Sequence, residues 1–318
     1  MTTYELEPGA GTLHGAFSRD LAPVLTVRSG DRIHTRTLDA SWAPLDLPVP
    51  VSMDAYLSAP RVPRPAPEHD GHCLVGPIAV EGAQPGDTIE IRLVRLRVGP
   101  WGWTAVGGYD SPLMRVLKMV DQPRTRFVWN LDGERRFAEN QCGDRVPVRP
   151  FLGVVGLAPG APGIHSTIPP RRVGGNLDCR ELVEGSRLFL PVEVEGALLS
   201  LGDGHAVQGD GEVAGTAIEC PMDEVLVEVH LHKRSIDLPR AETPAGRLVL
   251  AVDDDLNNAA VTALEGMVSW IGELHGVDRA RALAIASLAL DLRITQVANG
   301  VCGVHAVWSE DRVQWGKA

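Results

Sequence analysis

No two of the five cysteines, Cys73, Cys142, Cys179, Cys220 and Cys302, form a CxxC pair, and their number is odd. No disulfide framework is visible in such spacing, and reduced thiols in a cytoplasm are the expectation. No apolar run reaches membrane-spanning length. The opening MTTYELEPGAGTL has neither the basic region nor the apolar stretch of a signal peptide, so a cytoplasmic location is expected. Positive charge is also short. Thirty Lys and Arg against 41 Asp and Glu give a formal net charge of -11, which excludes a nucleic-acid backbone or an anionic membrane as the main partner. Internal repeats are absent, and the one biased tract is PRVPRPAP, Pro60 to Pro67. Its prolines cannot donate a regular ladder of hydrogen bonds, so an extended surface connection, a linker or a lid, is expected there.

What is present is enough for a large core. The 318 residues are 44% hydrophobic, which removes any need for staples, and 34 Gly with 24 Pro point to short strands joined by tight turns. Alternating apolar residues mark strands at Val24 to Val27, Ile89 to Leu93, Leu188 to Val192, Val225 to Leu231 and Leu248 to Val252. In TIEIRLVRLRV the apolar parity slips from Ile89, Ile91, Leu93 to Val94, Leu96, Val98, as one extra residue in a bulge would cause. Helical spacing comes late. Ala260, Leu264, Met267, Val268, Ile271 and Leu274 share one face between Asp255 and Gly276, and a second helix opening at Asp278 carries Leu283, Ala286 and Leu290. The fold class expected is β-rich α+β, with β-sandwich or jelly-roll-like sheets and a smaller C-terminal α+β part containing two helices. Residues 1–220 would form the β-rich domain and 221–318 the C-terminal part, packed against it and interleaved.

Chemistry concentrates between Gly174 and Glu219. Asp203 and His205 stand two apart, so in an extended segment both side chains leave one face, and Asp210 and Glu212 repeat that spacing. Imidazole and carboxylate on one face can bind zinc or a similar divalent ion. Flanking glycines, among them Gly204 and Gly209, permit positive φ and close approach of backbone to ligand. If Asp178, Asp203, Asp210, Glu212 and Glu219 converge, each like-charge pair about 5 Å apart costs roughly 3 kcal/mol at an effective dielectric of about 20. A cation must then sit among them, either a metal or one of Arg171, Arg172 and Arg180. The plain alternative is that Gly-Asp pairs are ordinary turn chemistry. Cys73, Cys179 and Cys220 each follow a candidate residue, so their thiols face the packing layer behind it. His230 and His232 alternate on a strand where a solvated edge face is expected. Trp101 and Trp103 either wall a pocket or join the core.

The segment resembles the acetamidase/formamidase family. The similar runs are Gly175 to Asp178, Leu190 to Val192, Gly196 to Ala206, Gly209 to Val213 and Gly215 to Glu219, with further stretches at Phe17 to Asp31, TLDASW from Thr37, His72 to Asp87, GVVGLAPGAPG from Gly153, and DLRITQVANGVCGVHAVW near the end. The likeness spans nearly the whole chain. It implies a β-rich amidohydrolase of small amides or lactams, a homo-oligomer, and a site made of His72, Asp178, Asp203, His205 and Glu219. Val75 and Cys73 depart from the family pattern beside His72, which bears on the choice of amide.

On this reading a divalent metal, zinc in first place and calcium in second, is bound by Asp203, His205 and His72. Glu219 and Asp178 serve catalysis, Glu219 as general base, while Gly204, Gly209 and Trp103 contact the substrate. The rivals are a cupin-like metalloenzyme, for which the usual His-x-His pair is missing around His205, and a non-catalytic jelly-roll module whose carboxylates bind calcium.

Overall fold

The alternating stretches assemble into two large sheets in the computed structural model, which describes residues 1–50 and 52–316. A nine-stranded sheet runs in the order Thr3–Leu6, Asp31–Thr37, Met222–His232, Thr88–Val98, Arg187–Pro191, Arg240–Thr243, Gly246–Asp253, Cys302–Trp308 and Leu290–Gln296. Its strands come from both sides of residue 220. An eleven-stranded sheet holds Leu199–His205 in its interior, beside Phe151–Gly156 on one flank and Leu74–Val80 with Glu219–Cys220 on the other. Ile89, Ile91, Val225 and Val227 of the first sheet share one apolar core with Val75, Ile78, Leu199 and Leu201 of the second. The chain is thus β-rich α+β, and its sheets do not close into a barrel.

The parity slip has the expected cause. Leu226 pairs with Arg95 and Val227 with Leu93, so Val94 is the extra residue, and inward-facing positions resume at Leu96 and Val98. The helix Leu256–His275 starts where the Asp255 carboxylate accepts from the backbone N–H groups of Asn257 and Asn258, and stops at Gly276, whose φ of 61° is left-handed. The helix Arg279–Ala289 buries Ala282, Ala286 and Ala289 against it, while Leu283, expected inside, is exposed. Small side chains face inward there because the helix packs close to its neighbour.

Two helices, Met53–Ser58 and Pro112–Val116, were not expected; each is too short to display a period. The strand Met222–His232 lies inside its sheet, not at an edge, and His230 and His232 are satisfied by Glu228 and Glu90. Among the described residues no helix is long and apolar enough to cross a membrane.

Candidate active site

Strand pairing brings the acidic segment together. His205 is registered against Phe151 on one side and Glu219 on the other, and Glu219 pairs onward with Trp103. Asp178 arrives on the adjoining turn, its N–H bonded to the Gly153 carbonyl at 3.2 Å. Gly153 itself leaves the necessary room: a Cβ there would stand 2.3 Å from Asp203 Oδ2 and 2.8 Å from both Asp178 Oδ1 and His205 Cε1. Three of the acids, Asp178, Asp203 and Glu212, hold left-handed backbone at φ of 48°, 59° and 44°. That conformation is unfavourable for a side chain with a Cβ, and residues held in it cluster at functional sites.

The cluster is buried, with Asp178, Asp203, His205, Glu212 and Glu219 all 6% exposed or less. His205 Nε2 lies 3.1 Å from Glu219 Oε2 and 3.3 Å from Asp203 Oδ2, yet it makes no aligned hydrogen bond to either. The other ring nitrogen fixes the tautomer. Gln208 donates from Nε2 to the Asp178 carbonyl at 2.8 Å, which turns its Oε1 to accept from His205 Nδ1 at 3.0 Å. In the neutral ring this assignment leaves the Nε2 lone pair facing carboxylates, an arrangement that calls for a cation between them.

The protonation equilibria carry the same message. Burial pushes Asp178 well above the usual carboxylate range, with Glu212 close by adding to it. Glu212 is pushed up to about 8 and Glu219 to about 7, burial leading in both. Asp203 moves down in spite of burial because His205 and His72 stand near it, and His205 moves well up, against burial, under Glu219 and Asp203. Without a metal, these groups must share protons. Asp178 Oδ1, Asp203 Oδ1, His205 Nε2 and Glu219 Oε2 all lie buried with no hydrogen-bond partner among the described residues. Two sets of donor atoms lie within 4.8 Å of one another, Asp178 with Asp203 and His205, and His205 with Glu212 and Glu219. Such a donor set fits a divalent ion.

A cavity of about 310 Å³ opens over the cluster, lined by Asp203, Glu212, Glu219, Trp103 and His72 among others. The Trp103 indole donates to the buried Asp39 carboxylate at 3.0 Å. His72, expected as a ligand, joins neither donor set; its Nδ1 is held 2.8 Å from Thr167 Oγ1. Gly204 does not reach the cavity, since a Cβ there would meet Met222 and the Cys220 carbonyl, and Gly209 lies outside it with open space before its α-carbon. Asp210 is drawn off by Arg293, and Arg172 by Glu193. Arg180 lies nearest Glu181, and Arg171 donates to the Pro169 carbonyl. Cys73, Cys179 and Cys220 are buried in the apolar layer, where burial pushes every thiol up, Cys179 to about 12. Residues not anticipated are Gly153, Gln208 and Asn299; Asn299 donates to Asp178 Oδ2 at 2.6 Å from a distant part of the chain.

The sequence profile described as the Acetamidase/Formamidase family matches residues 5–166 and 161–300. The chain belongs to this family. An acetamidase of Mycolicibacterium smegmatis is 28% identical over 208 residues, 45% of this chain and 49% of that protein. A formamidase of Methylophilus methylotrophus is 25% identical over 255 residues, 64% of this chain and 60% of that protein. The aligned part of the chain therefore spans about half of the first relative's length and three fifths of the second's. The crystal structure of an acetamidase from Bacillus halodurans superposes with a TM-score of 0.80 at 25% identity, covering 95% of this chain and 96% of that one.

Proposed function

We propose that this family member hydrolyses a small amide to a carboxylate and ammonia, with a divalent metal, zinc, held by Asp178, Asp203 and His205. The observation that carries the reading is His205 Nε2, buried and without an aligned hydrogen bond, standing 3.1 Å from Glu219 Oε2 and 3.3 Å from Asp203 Oδ2 while Gln208 engages the other ring nitrogen. Nitrogen among the donors favours zinc over calcium, which prefers oxygen alone. A zinc ion there would supply Lewis-acid polarisation of the amide carbonyl and acidification of a water.

The remaining work falls to the protein. Glu219 anchors one oxygen on the Ala217 N–H at 2.9 Å and keeps Oε2 free within the cavity wall. It takes a proton from the attacking water and returns it to the nitrogen as the C–N bond breaks, because an amide anion is too poor a leaving group to depart unprotonated. Asn299 steadies Asp178, and Gln208 fixes the His205 tautomer. Trp103 and His72 wall the cavity and exclude water from the reacting carbonyl. The test is ammonia release from formamide, acetamide and propionamide, with ring opening of a lactam to its amino acid followed alongside. Turnover of at least one, lost in Glu219→Gln, supports the reading; no hydrolysis of any of them rejects it.

A further inference from the structure

The cavity is larger than the smallest amides need. About 310 Å³ is the liquid volume of about ten waters, and acetamide displaces roughly three. Two cations, Arg64 and Arg124, stand exposed at its mouth together with Asp70. Neither arginine is paired with a carboxylate among the described residues. Arg64 lies 5.9 Å from the centre of the Trp42 ring and Arg124 5.9 Å from that of Tyr109, so each guanidinium rests on an aromatic face and keeps its hydrogen-bond donors free. Other arginines around the cluster are engaged: Arg293 on Asp210 and Glu181, Arg149 on Glu181.

The proline tract gains a purpose from this. Pro63 and Pro65 flank Arg64, and a residue that precedes proline is confined to extended backbone. Val62 N–H is bonded to the Trp42 carbonyl at 2.9 Å, and the Trp42 indole donates to the Gly71 carbonyl at 2.9 Å. Arg64 is therefore presented from a stiff segment on a fixed backing, at little ordering cost on binding. The floor of the cavity is acidic, and the mouth carries two arginines against one carboxylate, Asp70.

We propose that the substrate is an amide that carries a carboxylate at the end remote from the scissile bond, and that Arg64 and Arg124 receive this carboxylate. The inference rests on the amide-hydrolase reading above. Water adds to the amide carbonyl carbon, the C–N bond breaks, nitrogen leaves as ammonia with the proton it has gained, and the product is a dicarboxylate. A neutral amide leaves both guanidinium groups unused, whereas a charged one meets them through charge-assisted hydrogen bonds.

The probes are succinamate and its neutral counterpart succinamide, with acetamide alongside, on the metal-loaded protein. Succinamate is expected to show kcat/KM at least about tenfold above succinamide at low salt, a preference that shrinks as ionic strength rises and collapses in Arg64→Gln and Arg124→Gln variants of unchanged Tm. Turnover of acetamide or succinamide with no preference for succinamate, or a preference that survives both substitutions, overturns the anionic-substrate inference and leaves amide hydrolysis standing. If no amide is turned over, the hydrolase reading fails, and calorimetric binding of succinamate against succinamide decides this one: equal affinities overturn it.

Discussion

Placing a methyl group at Gly153 is the sharpest way to disturb the site without removing a functional group. The backbone there is not left-handed, so Gly153→Ala adds steric contact and nothing else. The new Cβ would begin 2.3 Å from Asp203 Oδ2, where real contacts essentially never fall under 3.0 Å. Asp203 must retreat by about 0.7 Å, while Asp178 Oδ1 and His205 Cε1 at 2.8 Å block the neighbouring directions. Overpacking of this kind costs about 1–3 kcal/mol of stability. A misplacement approaching 1 Å in a preorganised site costs about a hundredfold in rate. Ammonia release should therefore fall about a hundredfold in kcat/KM, with bound metal reduced on the same preparation and most of the protein still folded. Turnover within about threefold of the unmodified protein, with full metal content, would refute the placement of Asp178, Asp203 and His205 around one ion.

Asp203→Asn and His205→Ala should each lower activity at least about a hundredfold while the protein remains folded, since each removes a donor from the cluster; activity and metal content are read together. Glu219→Gln should keep its metal and lose about a hundred- to ten-thousandfold in kcat, because the amide cannot accept a proton; parallel loss of metal would make Glu219 a ligand instead. Cys73→Ala, Cys179→Ala and Cys220→Ala should retain turnover per folded molecule, since these thiols sit in the apolar layer; inactivation of a single one at unchanged Tm would point to a covalent mechanism. Acid stability offers a check away from the site. Burial alone would raise Glu90, but hydrogen bonds from Arg187, Arg92 and His232 hold it at about 2, below its ordinary value of 4.5. Its contribution, up to about 3 kcal/mol, is present above pH 4.5 and lost as pH falls through 4.5 toward 2. Glu90→Gln should therefore lower Tm at neutral pH and flatten the decline of Tm below pH 4.5.

Local rules reached the strands, the bulge and both late helices because each leaves a periodic or capping signature in neighbouring residues. The bulge after Leu93 was legible from parity alone, and Asp255 and Gly276 from helix-end chemistry. The same reasoning made Asp203–His205 and Asp210–Glu212 equivalent, and there it failed: Arg293, from the far edge of the other sheet, removes Asp210, and no spacing rule sees so distant a partner. Asn299, Gln208 and Gly153 were missed for related reasons. Asn299 reaches Asp178 across 121 residues, and Gly153 matters for what its missing side chain allows. Gly204 was misjudged because glycine in a strand admits two explanations, close approach to a ligand or to a neighbouring chain segment, and here Met222 and Cys220 lie against it.

The most direct measurement is the metal content and ammonia release of one preparation, before and after chelation and again after titration with zinc. A divalent ion near one per chain, turnover that disappears with it, and turnover that returns in proportion to zinc taken up are expected. Amide hydrolysis undiminished in protein shown to be metal-free would contradict the central claim that Asp178, Asp203 and His205 are gathered to hold an ion.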